Sequence, residues 1–399
     1  MNTPDLRFKG FVDSWKQRKL GDVFVEYSEK NHTELPPLTI IQGKGTIQRD
    51  QSERNLQYDP SSLSNYKLVT KNDFIVHLRS FEGGLEVAKS DGIISPAYHT
   101  FHGENTDSRF YYPYFRSKTF IDVQLKPHVY GIRDGKSIDI EGMKTIKIPS
   151  PSYDEQRKIG DALEYLDSVI DLYQSKLDTL RNYKKAMLVK MFPKEGQKVP
   201  EIRFNGFNMP WENHSFKKHV DISTEMVNPT TGEYDDMPHI APGNIESFTG
   251  QILDNVKTVK EEKLISGKFR FRPGDVVYGK INPQLGKYFF ARADGLTSAD
   301  AYVLKGKNGV NQEFLYALLQ TKDFYDYSVS VSMRSGMPKI NREELNEYSF
   351  LAPSEEEQKK IGTLLLGIDK QITLQQREIS KLKDLKQAML NKMFVKGGN

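Results

Sequence analysis

Lysine, arginine, asparagine and glutamine recur in this sequence beside glycines at the ends of short apolar runs. The runs are Gln42-Gly-Lys44, His77-Leu-Arg79, Arg133-Asp-Gly-Lys136, Gly279-Lys280, Asn282 with Gln284, and Arg334-Ser-Gly-Met-Pro-Lys339. A guanidinium fork matches the O6/N7 edge of guanine, a primary amide matches the adenine edge, and lysines neutralise phosphates. Lys44, Arg79, Arg133, Lys136, Lys280, Asn282, Gln284, Arg334 and Lys339 are therefore the candidate DNA contacts. The ordinary fate of a single loop cation is solvation, so recurrence ranks the set. Arg133 and Arg334 lead it, being 201 residues apart and each followed two residues later by glycine.

Catalytic patterns fall short. Gly131-Ile-Arg-Asp-Gly-Lys-Ser137 has three residues between its first glycine and Gly-Lys-Ser, where a phosphate-binding loop needs four. Asn282-Pro-Gln-Leu lacks the second proline and the aromatic of an amino-methyltransferase motif, and no glycine-rich cofactor loop follows a strand. His99 and His102 are a close pair without a third ligand, a pattern more often structural than metal-binding. There is no Gly-x-Ser-x-Gly elbow. With no cysteine among 399 residues, thiolate metal sites and cysteine nucleophiles are excluded. The sequence reads as a protein that recognises something and performs no catalysis itself. A net charge of +4 permits a nucleic-acid partner without demanding one. No apolar run is long enough to span a bilayer and the N-terminus lacks a signal-peptide core, so the expected location is the cytoplasm.

The elements that position these loops come in two copies. Arg7-Phe-Lys-Gly-Phe11 returns as Arg203-Phe-Asn-Gly-Phe207, and Trp15 as Trp211, the two tryptophans of the chain. Glu155-Gln-Arg-Lys-Ile-Gly160 returns as Glu357-Gln-Lys-Lys-Ile-Gly362. Lys184-Lys-Ala-Met-Leu-Val-Lys-Met-Phe192 returns as Lys386-Gln-Ala-Met-Leu-Asn-Lys-Met-Phe394. Units of this length are duplicated domains and not solenoid repeats. Similarity fades in the middles, which still align locally: Asp73-Phe-Ile with Asp275-Val-Val, Ala97-Tyr98 with Ala301-Tyr302, and Ser117-Lys-Thr-Phe120 with Thr321-Lys-Asp-Phe324. The pattern is one frame carrying two surfaces.

Each copy closes with a helix. Ser152-x-x-Glu155 and Ser354-x-x-Glu357 are capping boxes in which serine and glutamate satisfy each other's backbone amides. Apolar residues then alternate at four and three: Ile159, Leu163, Leu166, Ile170, Tyr173, Leu177, Leu180, Met187 and Met191, with Lys184 in the polar slot. The second copy gives Ile361, Leu365, Ile368, Ile372, Ile379, Leu382, Met389 and Met393, with Gln375 and Lys386 polar. A period of 3.5 residues sustained this far predicts a coiled-coil seam; separate core helices are the alternative. The connector after Phe192-Pro193 favours antiparallel pairing with approximate twofold symmetry, the globular domains at opposite ends. Lys184 and Lys386 hold equivalent seam positions and either fix register or snorkel.

The middles read as mixed α and β, with strands at Leu38–Ile41, Phe74–Val76, Val276–Tyr278 and Tyr288–Phe290 and a short helix over Phe314–Thr321. The expected fold class is α+β: two tandem domains, each followed by a long helix. Residues 1–150 form the first recognition domain, 151–196 the first spacer helix, 197–352 the second domain and 353–399 the second helix.

Together these motifs resemble the specificity subunit of type I restriction–modification systems. The resemblance covers the whole chain and rests on Leu6-Arg-Phe-Lys-Gly-Phe11 with Trp15, the repeated Pro-Ser-x-x-Glu-Gln-x-Lys-Ile-Gly, and the Lys-x-Ala-Met-Leu-x-Lys-Met-Phe helix ends. One departure is that Lys19-Leu-Gly-Asp22 has no clean counterpart after Trp211, where Phe216-Lys-Lys-His-Val220 stands. The resemblance implies two target recognition domains, each reading half of a bipartite double-stranded DNA target across a coiled-coil spacer. It implies two methyltransferase (modification) subunits and two ATP-dependent restriction subunits as partners, with no membrane. S-adenosylmethionine, ATP and magnesium would belong to those partners and none to this chain. Four residues added to one helix would lengthen it by about 6 Å, close to two base pairs at roughly 3.4 Å each, and so would widen the unspecified gap. Two other readings stay open: a coiled-coil protein–protein scaffold with two divergent binding domains, and a stand-alone DNA-modifying enzyme.

Overall fold

The computed structural model describes residues 3–52, 60–131, 136–333 and 336–394. Its contacts divide into two compact units: Met1–Leu172 with Ser380–Asn399, and Tyr173–Ile379.

Both units are built on the same antiparallel sheet. In the first, β1 (Val25–Tyr27), β2 (Phe74–Val76), β3 (Glu86–Val87) and β4 (His99–His102) lie in the order β1-β4-β2-β3. In the second, β5 (Val220–Ile222), β6 (Val276–Gly279), β7 (Tyr288–Phe290) and β8 (Ala301–Gly306) lie in the order β5-β8-β6-β7. The central strands β2 and β6 are entered by the same turn. The Asp73 carboxylate accepts from Thr70 N at 2.8 Å, and the Asp275 carboxylate accepts from Arg272 N at 2.8 Å. The ladders correct one alignment. Val76 faces His99 and Tyr278 faces Tyr302, so Tyr302 corresponds to His99 and not to Tyr98.

The flanks differ. The first unit carries a hairpin, Leu38–Ile41 with Gly45–Gln48, and a separate antiparallel pair, Lys67–Val69 with Gly92–Ile94. The second carries a five-stranded sheet that includes Lys268–Phe271 and Gly295–Thr297. The expected short helix spans Gln312–Leu318, capped by Asn311; Thr321 begins the next helix instead, accepting from Phe324 N at 3.3 Å. Ser117 does the same for Phe120 N at 3.1 Å, as that local alignment requires.

Helices α1 (Tyr153–Lys190) and α2 (Glu355–Met393) span 38 and 39 residues, about 57 Å each. Contacts inside each unit fix their direction. In the second unit Gln375 Nε2 donates to the Tyr173 carbonyl at 3.1 Å, and the Lys184 ammonium lies 2.5 Å from the Asp369 carboxylate. Numbers rise on one helix as they fall on the other, so the pairing is antiparallel. In the first unit Lys386 pairs with Asp167 at 2.5 Å, the same two slots with the helices exchanged. Both seam lysines therefore have aspartate partners.

The seam is shared between helix pairing and domain cores. Leu177, Ile361, Leu365, Ile368, Ile372 and Ile379 are buried in the second unit's core cluster, with Tyr173, Leu180 and Met187 packed against it. Ile159 and Leu163 join Trp15 and Phe110 in the first unit's cluster, along with Met393 and Met389. Leu166 is buried, and Ile170 and Leu382 are half-buried. The opening turns of each heptad run thus pack into a globular core, a departure from a seam facing another helix throughout.

The first capping box is half-made. Glu155 N donates to Ser152 Oγ at 3.3 Å, but the glutamate does not reach back to the serine. Its carboxylate instead takes two bonds from Arg7, at 2.6 and 2.8 Å, and one from Trp15 Nε1 at 3.0 Å. Glu357 likewise takes two from Arg203, at 2.7 and 2.8 Å. A buried carboxylate gains more from a bidentate guanidinium than from a single amide at an exposed helix end. The repeated Arg and the repeated Glu thus bind each other. Next to them, Gln156 and Gln358 each donate to the proline carbonyl five residues back, at 3.0 and 2.9 Å. The Arg segments also cap the far helix ends: Leu6 N donates to Lys392 O at 2.9 Å, and Ile202 N to Lys190 O at 2.8 Å.

Candidate nucleic-acid interface

In the first unit β2 runs out into His77-Leu78-Arg79, followed by a single helical turn over Ser80–Gly83. His77 N donates to Ser80 Oγ at 2.9 Å, and Gly84 at φ +80° closes the turn. A Cβ on Gly84 would lie 2.0 Å from the Phe115 carbonyl, so only glycine lets the chain turn there. The His77 ring is half-buried with no partner at Nε2 among the described residues, and burial holds its pKa below the ordinary value.

Two further segments converge on this turn. Gln42, at the tip of the Leu38–Gln48 hairpin, packs so closely that a Cβ on Gly83 would meet its Nε2 at 2.2 Å. The tip is pinned from beneath by Glu86, whose fully buried carboxylate accepts from Gly43 N at 2.8 Å, Gly45 N at 3.1 Å and Tyr112 Oη at 2.7 Å, and pairs with Arg116. On the other side the Lys136 ammonium stands 5.7 Å from the Phe81 ring centroid. Lys44, Arg79 and Lys136, all exposed, therefore surround one turn.

The second unit uses the same strand end with a different loop. β6 runs out into Lys280-Ile281-Asn282, then a 3-10 turn over Pro283–Leu285, closed by Gly286 at φ +54°. Asn282 takes φ +47° and its backbone N–H donates to Pro338 O at 2.7 Å, while Ile340 N donates to Lys280 O at 3.0 Å. Ile281 bridges Lys339. These bonds lay Lys280, Asn282, Gln284 and Lys339 along one strip. The Lys280 ammonium lies 5.3 Å from the Tyr302 ring centroid, and Gln284 Nε2 lies 3.4 Å from Asn282 Oδ1. Arg133 and Arg334, ranked first on recurrence, lie outside the described residues, as does most of the Gly131–Ser137 near-match.

Two contributors were missed in the sequence. Glu86 positions the Lys44 tip from within the core, and nothing in its neighbours' types announces that role. Phe248 lies against Gly286 at the edge of the second strip, its amide donating to Gly286 O at 2.9 Å. Its one signal is an aromatic inside the otherwise polar run Glu246-Ser-Phe-Thr-Gly-Gln251. The histidine pair does not converge on a common point: His99 Nδ1 meets Glu26 and His102 Nδ1 meets Asp73, each at 2.7 Å, from opposite faces of β4. Among the described residues no three His, Asp or Glu side chains cluster to hold a metal, and no helix is long and apolar enough to cross a membrane.

Two copies of one frame, each offering a divergent basic and amide-bearing loop at the same strand end, define a duplicated recognition protein. Two stretches, 13–182 and 225–384, match the model of the type I restriction modification DNA specificity domain, and the chain belongs to that family. It is 28% identical over 297 residues to the type I restriction enzyme EcoDI specificity subunit of Escherichia coli, across 66% of this chain and 63% of that protein. The match thus spans just under two thirds of that relative's length. The MjaVIII specificity subunit of Methanocaldococcus jannaschii is 22% identical over 354 residues, across 82% of this chain and 79% of that one. The crystal structure of a type I restriction–modification S subunit from M. genitalium has the same fold, with a TM-score of 0.64 over 99% of this chain and 100% of that one at 14% identity.

Proposed function

We propose that this chain is the specificity subunit of a type I restriction–modification system, reading a bipartite double-stranded DNA target with one half-site per unit. The observation that carries the reading is the identical sheet order in both units with unlike loops leaving the equivalent strands β2 and β6. Lys44, Arg79 and Lys136 serve the first half-site. Lys280, Asn282, Gln284 and Lys339 serve the second. Where arginine and the amides meet base edges they specify, and where lysines meet phosphates they hold register. The antiparallel helices act as the spacer that sets the gap. The chain is non-catalytic and works in the cytoplasm. It directs two methyltransferase subunits, which carry S-adenosylmethionine, and two restriction subunits, which use ATP and magnesium. Methylating an adenine inside a duplex requires flipping it out, so this chain supplies grip and register while partners perform the chemistry.

Genome-wide mapping of adenine methylation in cells with and without the chain tests the reading. A two-part motif that vanishes with the chain is expected. An unchanged methylation pattern, or a motif of one continuous block, overturns it. Methyl transfer by the purified chain alone establishes the stand-alone enzyme instead, and DNA affinity indifferent to salt favours the protein scaffold.

A further inference from the structure

The loop Glu246-Ser-Phe-Thr-Gly-Gln251 in the second unit is closed at its base by Glu246 N donating to Gln251 O at 2.8 Å and by a bridge between Ile245 and Ile252. Phe248 stands at its tip with φ +63°. A bulky side chain in the left-handed region is an outlier that persists only when its surroundings impose it, and such residues gather at functional sites. Here both backbone groups are tied: the amide to Gly286 O at 2.9 Å, and the carbonyl to Tyr288 Oη, also at 2.9 Å. Those bonds hold the ring outward, 54% exposed. It leans on Tyr325, with ring centroids 5.7 Å apart, and covers Gly286 so closely that a Cβ there would lie 2.5 Å from its Cδ1. Gly286 ends the turn that presents Asn282 and Gln284. The second unit therefore holds a strained, exposed aromatic edge beside its two amide readers.

We propose that Phe248 is a wedge that enters a base step of the second half-site and unstacks it. The assignment rests on the DNA-reading function proposed above. Core packing does not require this ring, since more than half of its surface is free. An apolar ring on a rigid loop beside base-edge readers suits stacking on a nucleobase, which any base face can accept. The wedge favours half-sites whose step opens easily, pyrimidine–purine steps above all, and so adds selectivity where no hydrogen bond reads a base.

The test uses the complex of this chain with its modification subunits and a duplex bearing the methylation-mapped target. 2-Aminopurine replaces in turn each adenine of the second half-site other than the mapped methylation target, which the modification subunits flip out whether or not Phe248 is present. One position brightens on binding of the unaltered complex. With Phe248→Gly that brightening disappears and affinity falls about tenfold or more, the range of one base–aromatic stack. The salt slope of binding stays the same, because no phosphate contact is lost. Glycine accepts φ +63°, so the thermal midpoint of the chain holds or rises. Phe248→Trp retains the brightening. If the unaltered complex binds its target with no position brightening, or Phe248→Gly binds as tightly as the parent, the wedge is overturned. A lowered thermal midpoint for Phe248→Gly makes the ring a structural prop and overturns it as well. Failure of the unaltered complex to prefer its mapped target over other duplexes overturns the DNA-reading function itself.

Discussion

Replacing Arg203 with methionine is expected to destabilise the second unit more than Arg7→Met destabilises the first. Both arginines clamp a glutamate at a helix start, and both glutamate side chains are almost fully buried, at 2% and 1% exposure. Removing one partner of a buried ion pair costs about 3–5 kcal/mol, because the remaining charge stays desolvated. The two sites differ in what remains. Glu155 keeps the bond from Trp15 Nε1, whereas Trp211 Nε1 has no partner among the described residues and does not serve Glu357. One hydrogen bond to a charged acceptor contributes about 1.5–3 kcal/mol. The expected losses are thus about 3 kcal/mol for Arg7→Met and about 5 kcal/mol for Arg203→Met. Tryptophan fluorescence during urea unfolding reads each unit separately. In a Trp15→Phe background Trp211 reports the second unit; in a Trp211→Phe background Trp15 reports the first, with its bond to Glu155 kept. Equal losses, or a larger loss for Arg7→Met, refute the reasoning. Pairing Arg203→Met with Glu357→Leu should recover most of the loss, since no charge is then stranded.

Three other perturbations have defined outcomes. His77 is held below its ordinary value of 6.5 by burial, opposed by Glu86 and reinforced by Arg116, so the folded chain disfavours its proton. Stability of the first unit then falls as pH drops below about 6.5, where the unfolded chain binds the proton and the folded one resists, and His77→Gln flattens that slope in a pH series of thermal midpoints. Lys184→Met leaves Asp369 buried without its cation and costs about 3–5 kcal/mol, less as pH falls and the carboxyl protonates; Lys184→Met with Asp369→Leu and Tyr316→Phe, which also removes the hydroxyl that meets Asp369, recovers most of the loss, and a large residual loss by urea unfolding contradicts this. One heptad inserted between Tyr173 and Gln174 and another between Leu374 and Gln375, positions that face each other across the pair, adds about 10 Å to both helices. Methylation mapping should then show an unspecified gap about three base pairs longer with both half-sites unchanged; altered half-site bases with the old gap count against a spacer role.

The repeat and the seam were legible because their physics is local. A 3.5-residue period survives in sequence whatever lies across from it, and Lys184 and Lys386 marked their slots before their aspartates were known. What stayed hidden depends on distant partners. Ser152-x-x-Glu155 reads as a capping box, yet Arg7, 148 residues away, takes the glutamate. The faint middles aligned one residue out of step at Tyr302, and in a strand a single residue decides which face a side chain takes. The candidate loops were legible from glycine and cation types, since turns tolerate few other residues. Their convergence was not, because it runs through Gly83 against Gln42 and Asn282 against Pro338, which are contacts across the fold. Phe248 escaped for a related reason: residue type does not announce a left-handed phenylalanine.

The division between frame and surface follows from where the hydrogen bonds go. Asp73 and Asp275 fix the entry to the central strand, and Ala88 N and Ala291 N return to those residues' carbonyls at 2.8 Å each. Gly84 and Gly286 end the exit turn in both units. Between these fixed points lie His77–Gly83 in one copy and Lys280–Leu285 in the other, with little common sequence. A loop anchored at both ends by backbone geometry can change its side chains without disturbing the sheet beneath, as scaffolded binding loops do. Duplication then yields two units from one sheet, and at the exit of the central strand their difference lies in side chains carried between fixed ends. Transplanting Lys280–Leu285 in place of His77–Gly83 is the corresponding limit of that argument. The first unit should keep most of its core, since Phe74, Phe101 and Phe115 lie outside the exchanged segment and only the half-buried Phe81 is lost from the packing against them, while one half-site of the methylation-mapped motif changes. The exchange also tests the anchors, because Gln42 packs on Gly83 and must find room against leucine.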